Sequence, residues 1–113
     1  MVLDQERERA RAAVEAFEHA FELTPDLPDA YEGAGRAHMQ LWDFSEDPAE
    51  KTARLTKAIE RFREAVAWFP ERKGAHVALI RALYTAGKPR ETLAAIAAAR
   101  ERWPEDAQFR KRR

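Results

Sequence analysis

Apolar and small residues recur at steps of three and four along this chain, and no stretch alternates with period two. The pattern therefore predicts helices throughout and no strands. A first helix is predicted from Asp4 to Leu23, with Ala10, Ala13, Val14, Phe17, Ala20 and Phe21 on one face. A second, from Pro28 to Trp42, would bury Tyr31, Ala34, Gly35, His38, Leu41 and Trp42. A third, from Pro48 to Phe69, carries the stripe Leu55, Ile59, Phe62, Val66, Phe69. A fourth, from Lys73 to Ala86, turns Ala75, Leu79, Ala82 and Leu83 inward. A fifth, from Pro89 to Arg102, places Leu93, Ile96, Ala97 and Arg100 on successive turns. The tail, 104–113, offers only Phe109 as an anchor and predicts a helical turn.

The ends of these segments have local causes. Asp4 can cap the first helix, and Thr24-Pro25 stops it, because proline disfavours helical geometry in the residue before it. Asp47-Pro48-Ala49-Glu50 combines a cap, a first-position proline and an acid at the third position. Gly87 fits a C-terminal stop. Gly33 and Gly35 weaken the second helix by about 1 kcal/mol each relative to alanine. That cost is reasonable where a neighbouring helix must come close, which places the second helix tightly against the next.

One frame occurs three times: small residue, aromatic or apolar residue four later, small residue three later, proline five later. It reads Ala13, Phe17, Ala20, Pro25; then Ala58, Phe62, Ala65, Pro70; then, more loosely, Thr92, Ile96, Ala99, Pro104. Small residues let two helix backbones approach, and the larger one fills the notch beside them.

With their preceding helices, these frames resemble the tetratricopeptide repeat, whose period is near 34 residues. Tyr31, Ala34, Gly35 and His38 match the first-helix positions of one repeat, which Ala58 to Pro70 completes. His76, Leu79, Ile80 and Leu83, then Thr92 to Pro104, form the next. Ala13 to Pro25 resembles the second helix of a preceding repeat whose first helix is absent. The resemblance covers residues 10–104 and implies an all-α superhelix of antiparallel helix-turn-helix repeats in one domain, about two and a half repeats long. One departure stands out: Tyr31 to Ala58 is 27 residues where the pattern has 16. Eleven extra residues fall in the Trp42–Lys57 region, and a loop plus two added turns at the start of the third helix is expected there.

Composition narrows the chemistry. There is no cysteine, which removes disulfides, thiolate metal sites and cysteine nucleophiles together. No apolar run approaches the ~20 residues that span a bilayer, and the early charges are not those of a signal peptide, so a cytoplasmic protein is expected. The absence of asparagine and fifteen arginines against five lysines fit a thermophile, or a GC-rich genome. Lys plus Arg equals Asp plus Glu at 20 each, so the net charge gives no push towards nucleic acid or acidic ligands. The balance conceals polarity: residues 1–50 carry 13 acids and 4 bases, residues 51–113 carry 7 acids and 16 bases.

No catalytic, cofactor-binding or metal set emerges. His19, His38 and His76 have no metal-ligand spacing, and the last two sit at packing positions of the repeat. Glu46, Asp47 and Glu50 read as capping residues, and Glu6, Glu8, Glu15, Glu18 and Glu22 as a solvated face. There is no phosphate loop, nucleophile elbow or paired acid–base set, so an enzyme is not expected.

In proteins similar to this one, first helices line a concave groove that holds a peptide or partner helix. The matching positions are Asp29, Glu32, Arg36, Met39 and Gln40 on the second helix, and Val77, Arg81 and Tyr84 on the fourth. Arg36 and Arg81 are equivalent in successive repeats and could grip a carboxylate through paired donors. Families that clamp a terminal carboxylate use Lys and Asn there; asparagine is absent here and Glu32 opposes Arg36, so that specific activity does not carry over. Trp42 and Phe44 form a candidate secondary patch beside the insertion. The leading expectation is a non-catalytic adaptor for a protein or peptide partner. Self-assembly, by head-to-tail contact of the oppositely charged halves or by swapping helices, is the second reading. Nucleic-acid contact through Arg110-Lys-Arg-Arg113 is the third, and not the expected one.

Overall fold

The computed structural model describes residues 2–24 and 27–109, with Val2 and Leu3 described in backbone only. Pro25 of the first frame and the basic residues 110–113 lie outside the described residues. The described residues form five α-helices: α1 (Val2–Leu23), α2 (Pro28–Phe44), α3 (Pro48–Trp68), α4 (Lys73–Thr85) and α5 (Pro89–Arg102). A 3₁₀ turn, Ala107–Phe109, follows, and there is no strand among the described residues. Among the described residues no helix is long and apolar enough to cross a membrane. Each helix packs on its chain neighbours, and α2 also touches α4. The architecture is an all-α array of helical pairs.

Helix ends follow from local chemistry. The Asp47 carboxylate accepts the Glu50 N–H at 3.2 Å and starts α3, with Pro48 in the first position. Phe69, which precedes Pro70, leaves helical geometry at φ −131°, ψ 64°, so α3 ends at Trp68, one residue before the expected end. Gly87 takes φ 69°, and the Lys88 N–H reaches back to the Leu83 carbonyl at 3.1 Å, closing α4 after Thr85. At the other end of the chain α1 begins at Val2, which puts Asp4 inside its first turn and not at its cap.

Two apolar clusters hold the helices together. One comprises Ala58, Ile59, Phe62, Leu79, Ala82 and Leu83, with Met39, Leu55 and Val66 packed on it. The other joins Tyr31, Ala65 and Ala75 to Phe21, Val66 and Phe69. Tyr31 stacks between Phe21 and Phe69, with centroids 4.5 and 6.0 Å away. The glycines of α2 permit this closeness. A Cβ on Gly35 would lie 2.4 Å from the Phe62 ring of α3, and one on Gly33 would lie 2.3 Å from the Phe17 ring of α1.

The eleven-residue insertion is helical throughout. From Tyr31, α2 continues four residues further than α4 does from His76. Before Ala58, α3 has seven more residues than α5 has before Thr92. The connecting loops, residues 45–47 and 86–88, are equally long. The expected two turns at the start of α3 are present, but the expected added loop is instead an extra turn of α2. Both extensions are close to whole turns at 3.6 residues each, so the facing stripes stay in register. α1 is lengthened to match. Its Ala10 is buried, and Arg7 donates to the Phe44 carbonyl at 3.1 Å at the hairpin tip.

α5 departs from its expected face. Thr92 and Ala99 are buried, Ile96 and Arg100 are half-buried, and Leu93 and Ala97 are exposed. No described helix lies beyond α5, so the side that would meet a following repeat stays open. Among the described residues, the chain's own turn covers part of it: Phe109 is buried beside Trp103, at 5.9 Å, and Trp103 meets His76 edge-on at 5.1 Å.

Candidate partner-binding groove

α2 and α4, the first helices of successive repeats, run side by side and create two adjoining clefts. One, of about 330 Å³, is lined by Arg36, Lys73, Gly74, Val77, Ala78, Arg81 and Gln108. The other, of about 480 Å³, is lined by Phe17, Asp29, Glu32, Gly33, Arg36, Arg72, Lys73 and Gly74. Arg36 borders both. Arg36 and Arg81 are exposed, and neither is ion-paired among the described residues.

The two acids expected in the groove are engaged. Arg72 donates to one oxygen of Glu32 through Nε at 3.1 Å and Nη2 at 2.6 Å, and Nη2 also meets Asp29 at 2.7 Å. The hydrogen bonds that Arg72 donates to Glu32, and the charges of both acids, hold the Arg72 guanidinium above its already high pKa. Lys73 pairs with Asp106 at 2.5 Å and lies 5.6 Å from the Trp103 ring centroid. That hydrogen bond, together with the Gln108 N–H, keeps the Asp106 carboxyl below its ordinary range. No side chain caps the N-terminus of α4, so its free N–H groups add positive potential where Lys73 and Gly74 face both clefts.

The structure thus brings Arg36, Val77 and Arg81 to one cleft, and Asp29, Glu32 and Arg36 to its neighbour. Gln40 is exposed on α2 and lines neither. Met39 is packed into the core beside Phe62. Tyr84 lines a different cavity, between α4 and α5. Met39 and Tyr84 occupy the same repeat position, which points at the helix that follows and not into the groove. Arg72, Lys73 and Gln108 were not anticipated. They come from the boundary before α4 and from the last turn, outside the helical stripe used to choose groove positions.

The secondary patch is tied into the hairpin tip. Trp42 and Phe44 are half-buried. Lys51 donates to the Trp42 carbonyl at 2.8 Å and stands 4.2 Å from that ring's centroid.

His38 and His76 are buried and serve packing, while His19 is exposed on α1. His76 Nε2–H donates to the Pro70 carbonyl at 2.8 Å. Buried His38 meets Glu18 of α1 at 3.3 Å through Nε2. Glu18 in turn binds Arg61 of α3, whose Nη1 reaches Glu64 at 2.7 Å and whose guanidinium lies over Phe21. Burial works against ionisation of Glu18, but the hydrogen bonds with Arg61 and His38 outweigh it and hold its pKa below 4.5. Burial depresses the His38 pKa despite Glu18. Part of the charge polarity along the sequence is therefore used within the molecule, where acids of α1 and α2 meet bases of the second half.

The family model described as tetratricopeptide repeat matches residues 51–111, over half of the chain. The chain belongs to the tetratricopeptide repeat family. No curated protein matches it. Tetratricopeptide repeats generally mediate protein–protein interactions and are typically non-catalytic. In this member the matched region contains α4, α5 and most of α3, while Arg36 and its neighbours on α2 lie before it.

Proposed function

We propose that this tetratricopeptide protein is a non-catalytic adaptor that holds an acidic peptide or helix of a protein partner between α2 and α4. The observation that carries this reading is the convergence of Arg36 and Arg81 on one cleft, with Val77 between them and no competing ion pair among the described residues. A planar guanidinium presents paired donors to a carboxylate, and two of them on a fixed helical frame select spacing as well as charge. Val77 and Ala78 give the aliphatic part of the ligand an apolar contact in the cleft. The neighbouring acids do not cancel this field, because Arg72 engages both Asp29 and Glu32.

The experiment is selection from a random peptide display library, followed by affinity measurement on the double variant Arg36→Ala/Arg81→Ala. Acidic sequences are expected to be enriched, and the double replacement is expected to weaken them at least tenfold. Unchanged affinity in the double variant would remove the groove from the account.

A further inference from the structure

The molecule repeats one internal interface and leaves its second copy half empty. In the complete copy, Met39, Ile59 and Phe62 receive Leu79, Ala82 and Leu83 of α4. One period later, allowing for the insertion, the same three positions are Tyr84, Leu93 and Ile96. Ile59 is 7% exposed, whereas Leu93 is 66% and Tyr84 75% exposed. The three line a largely apolar cavity of about 430 Å³. The other end of this second interface is already closed by the chain itself: Phe109, one period after Ala75, is 1% exposed.

We propose that Tyr84, Leu93 and Ile96 form a docking seat for a short amphipathic helix from another protein. That helix presents two leucine-sized side chains one turn apart and an acidic flank. The internal interface supplies the first requirement, since α4 fills the equivalent seat with Leu79 and Leu83. Charge supplies the second. Lys88 borders the cavity, and Arg100 stands where the complete copy has Val66. Glu91, the acid nearest the start of α5, is taken by Arg63 at 2.8 Å. Exposed Lys88 at the rim and half-buried Arg100 on α5 thus give this face a positive bias, and an acid on the incoming helix complements it.

Two other occupants fit less well. Residues 110–113, at the positions of His76 to Leu79, are Arg-Lys-Arg-Arg and carry no apolar side chain. A second copy has no spare α4-like helix. Its α2 and α4 are each packed between two neighbours, and both ends of the array, α1 and α5, are second helices of their repeats.

The test uses the full chain and a fluorescein-labelled synthetic peptide with the sequence of residues 73–85, carrying Lys73→Glu and Gly74→Glu. Saturable binding by fluorescence anisotropy is expected. It should weaken at least tenfold with Leu93→Glu or with Tyr84→Ala, and remain unchanged with Arg36→Ala/Arg81→Ala, which separates this seat from the groove. Leu93 is exposed, so the circular dichroism spectrum and melting temperature of Leu93→Glu should equal those of the parent. Absence of saturable binding at millimolar peptide overturns the proposal. So does binding that Leu93→Glu leaves intact, which would put the peptide in α4's own place. A dimer in sedimentation that Leu93→Glu converts to monomer would give the seat to a second copy and overturn it equally.

Discussion

Arg72, at the entrance to α4, places two of its nitrogens on a single carboxylate oxygen of Glu32 in α2, at 2.6 and 3.1 Å. Glu32 is 3% exposed, so its charge is compensated chiefly by this contact. The pair ties two successive first helices together at the floor of the groove. It also occupies the acid that would otherwise neutralise Arg36. Stability and recognition therefore meet in one interaction. Arg72→Ala is expected to lower stability by about 1–2 kcal/mol, less than for a fully buried pair because Arg72 is more than a third exposed. It should also weaken acidic-peptide binding by leaving Glu32 to compete for Arg36. Urea unfolding and peptide titration of the same variant check both effects, and Glu32→Gln/Arg72→Ala should restore much of the binding.

The two glycines of α2 make a contrast that tests the packing. Alanine raises helix propensity at either site by about 1 kcal/mol. At Gly35 the new methyl meets Phe62, which is buried and has nowhere to go. Gly35→Ala is expected to destabilise by about 1–3 kcal/mol net, as overpacking does. At Gly33 the methyl meets Phe17, a half-buried ring at the edge of α1 that can swing aside. Gly33→Ala should cost less than half as much. Melting temperatures of the two variants, measured side by side, check the ordering.

Acidification should loosen α1. His38 is buried against Glu18 of α1, with Arg54 and Arg61 of α3 adding like charge. Burial holds its folded pKa below the ordinary 6.5, so the unfolded chain takes up a proton first as pH falls. The contribution of neutral His38 is complete above 6.5 and is lost progressively as pH drops below it. Glu18 acts in the same direction in a lower window. Its depressed pKa stabilises the fold above 4.5 and ceases to do so as acid protonates it. Equilibrium unfolding between about pH 7 and pH 5 should show falling stability, and His38→Gln should flatten that slope.

The fold was legible because it rests on spacing. Ala58, Phe62 and Ala65 announce a helix that lets neighbours close in, and Pro70 announces its end; all three packing residues are buried. The insertion was half legible. Asp47-Pro48 marks the start of α3, but nothing between Trp42 and Ser45 breaks a helix, and α2 simply continues. The helical stripe names Arg36, Val77 and Arg81, which line one cleft, but it does not name Lys73 and Gln108, which line the same cleft. These two reach the cleft from a helix boundary and a terminal turn, where no periodicity operates. Met39 and Tyr84 share that helical stripe, but they face the second helix of their own repeat rather than the groove. Met39 is half-buried against the core formed by α3 and α4, whereas Tyr84, which among the described residues has only α5 beside it, is exposed. Arg72 was missed because a charge lying 40 residues from Glu32 in sequence shows no pairing signal until the chain is folded.

The central claim is that the α2–α4 cleft receives an acidic segment of a partner. The most direct measurement is amide chemical-shift mapping of the ¹⁵N-labelled chain, titrated with the acidic peptide that selection enriches most. The account predicts saturable shifts concentrated at Arg36, Lys73, Gly74, Val77 and Arg81, lost on Arg36→Ala/Arg81→Ala. Shifts that cluster instead around Trp42 and the hairpin tip, or that persist in the double variant, would contradict it.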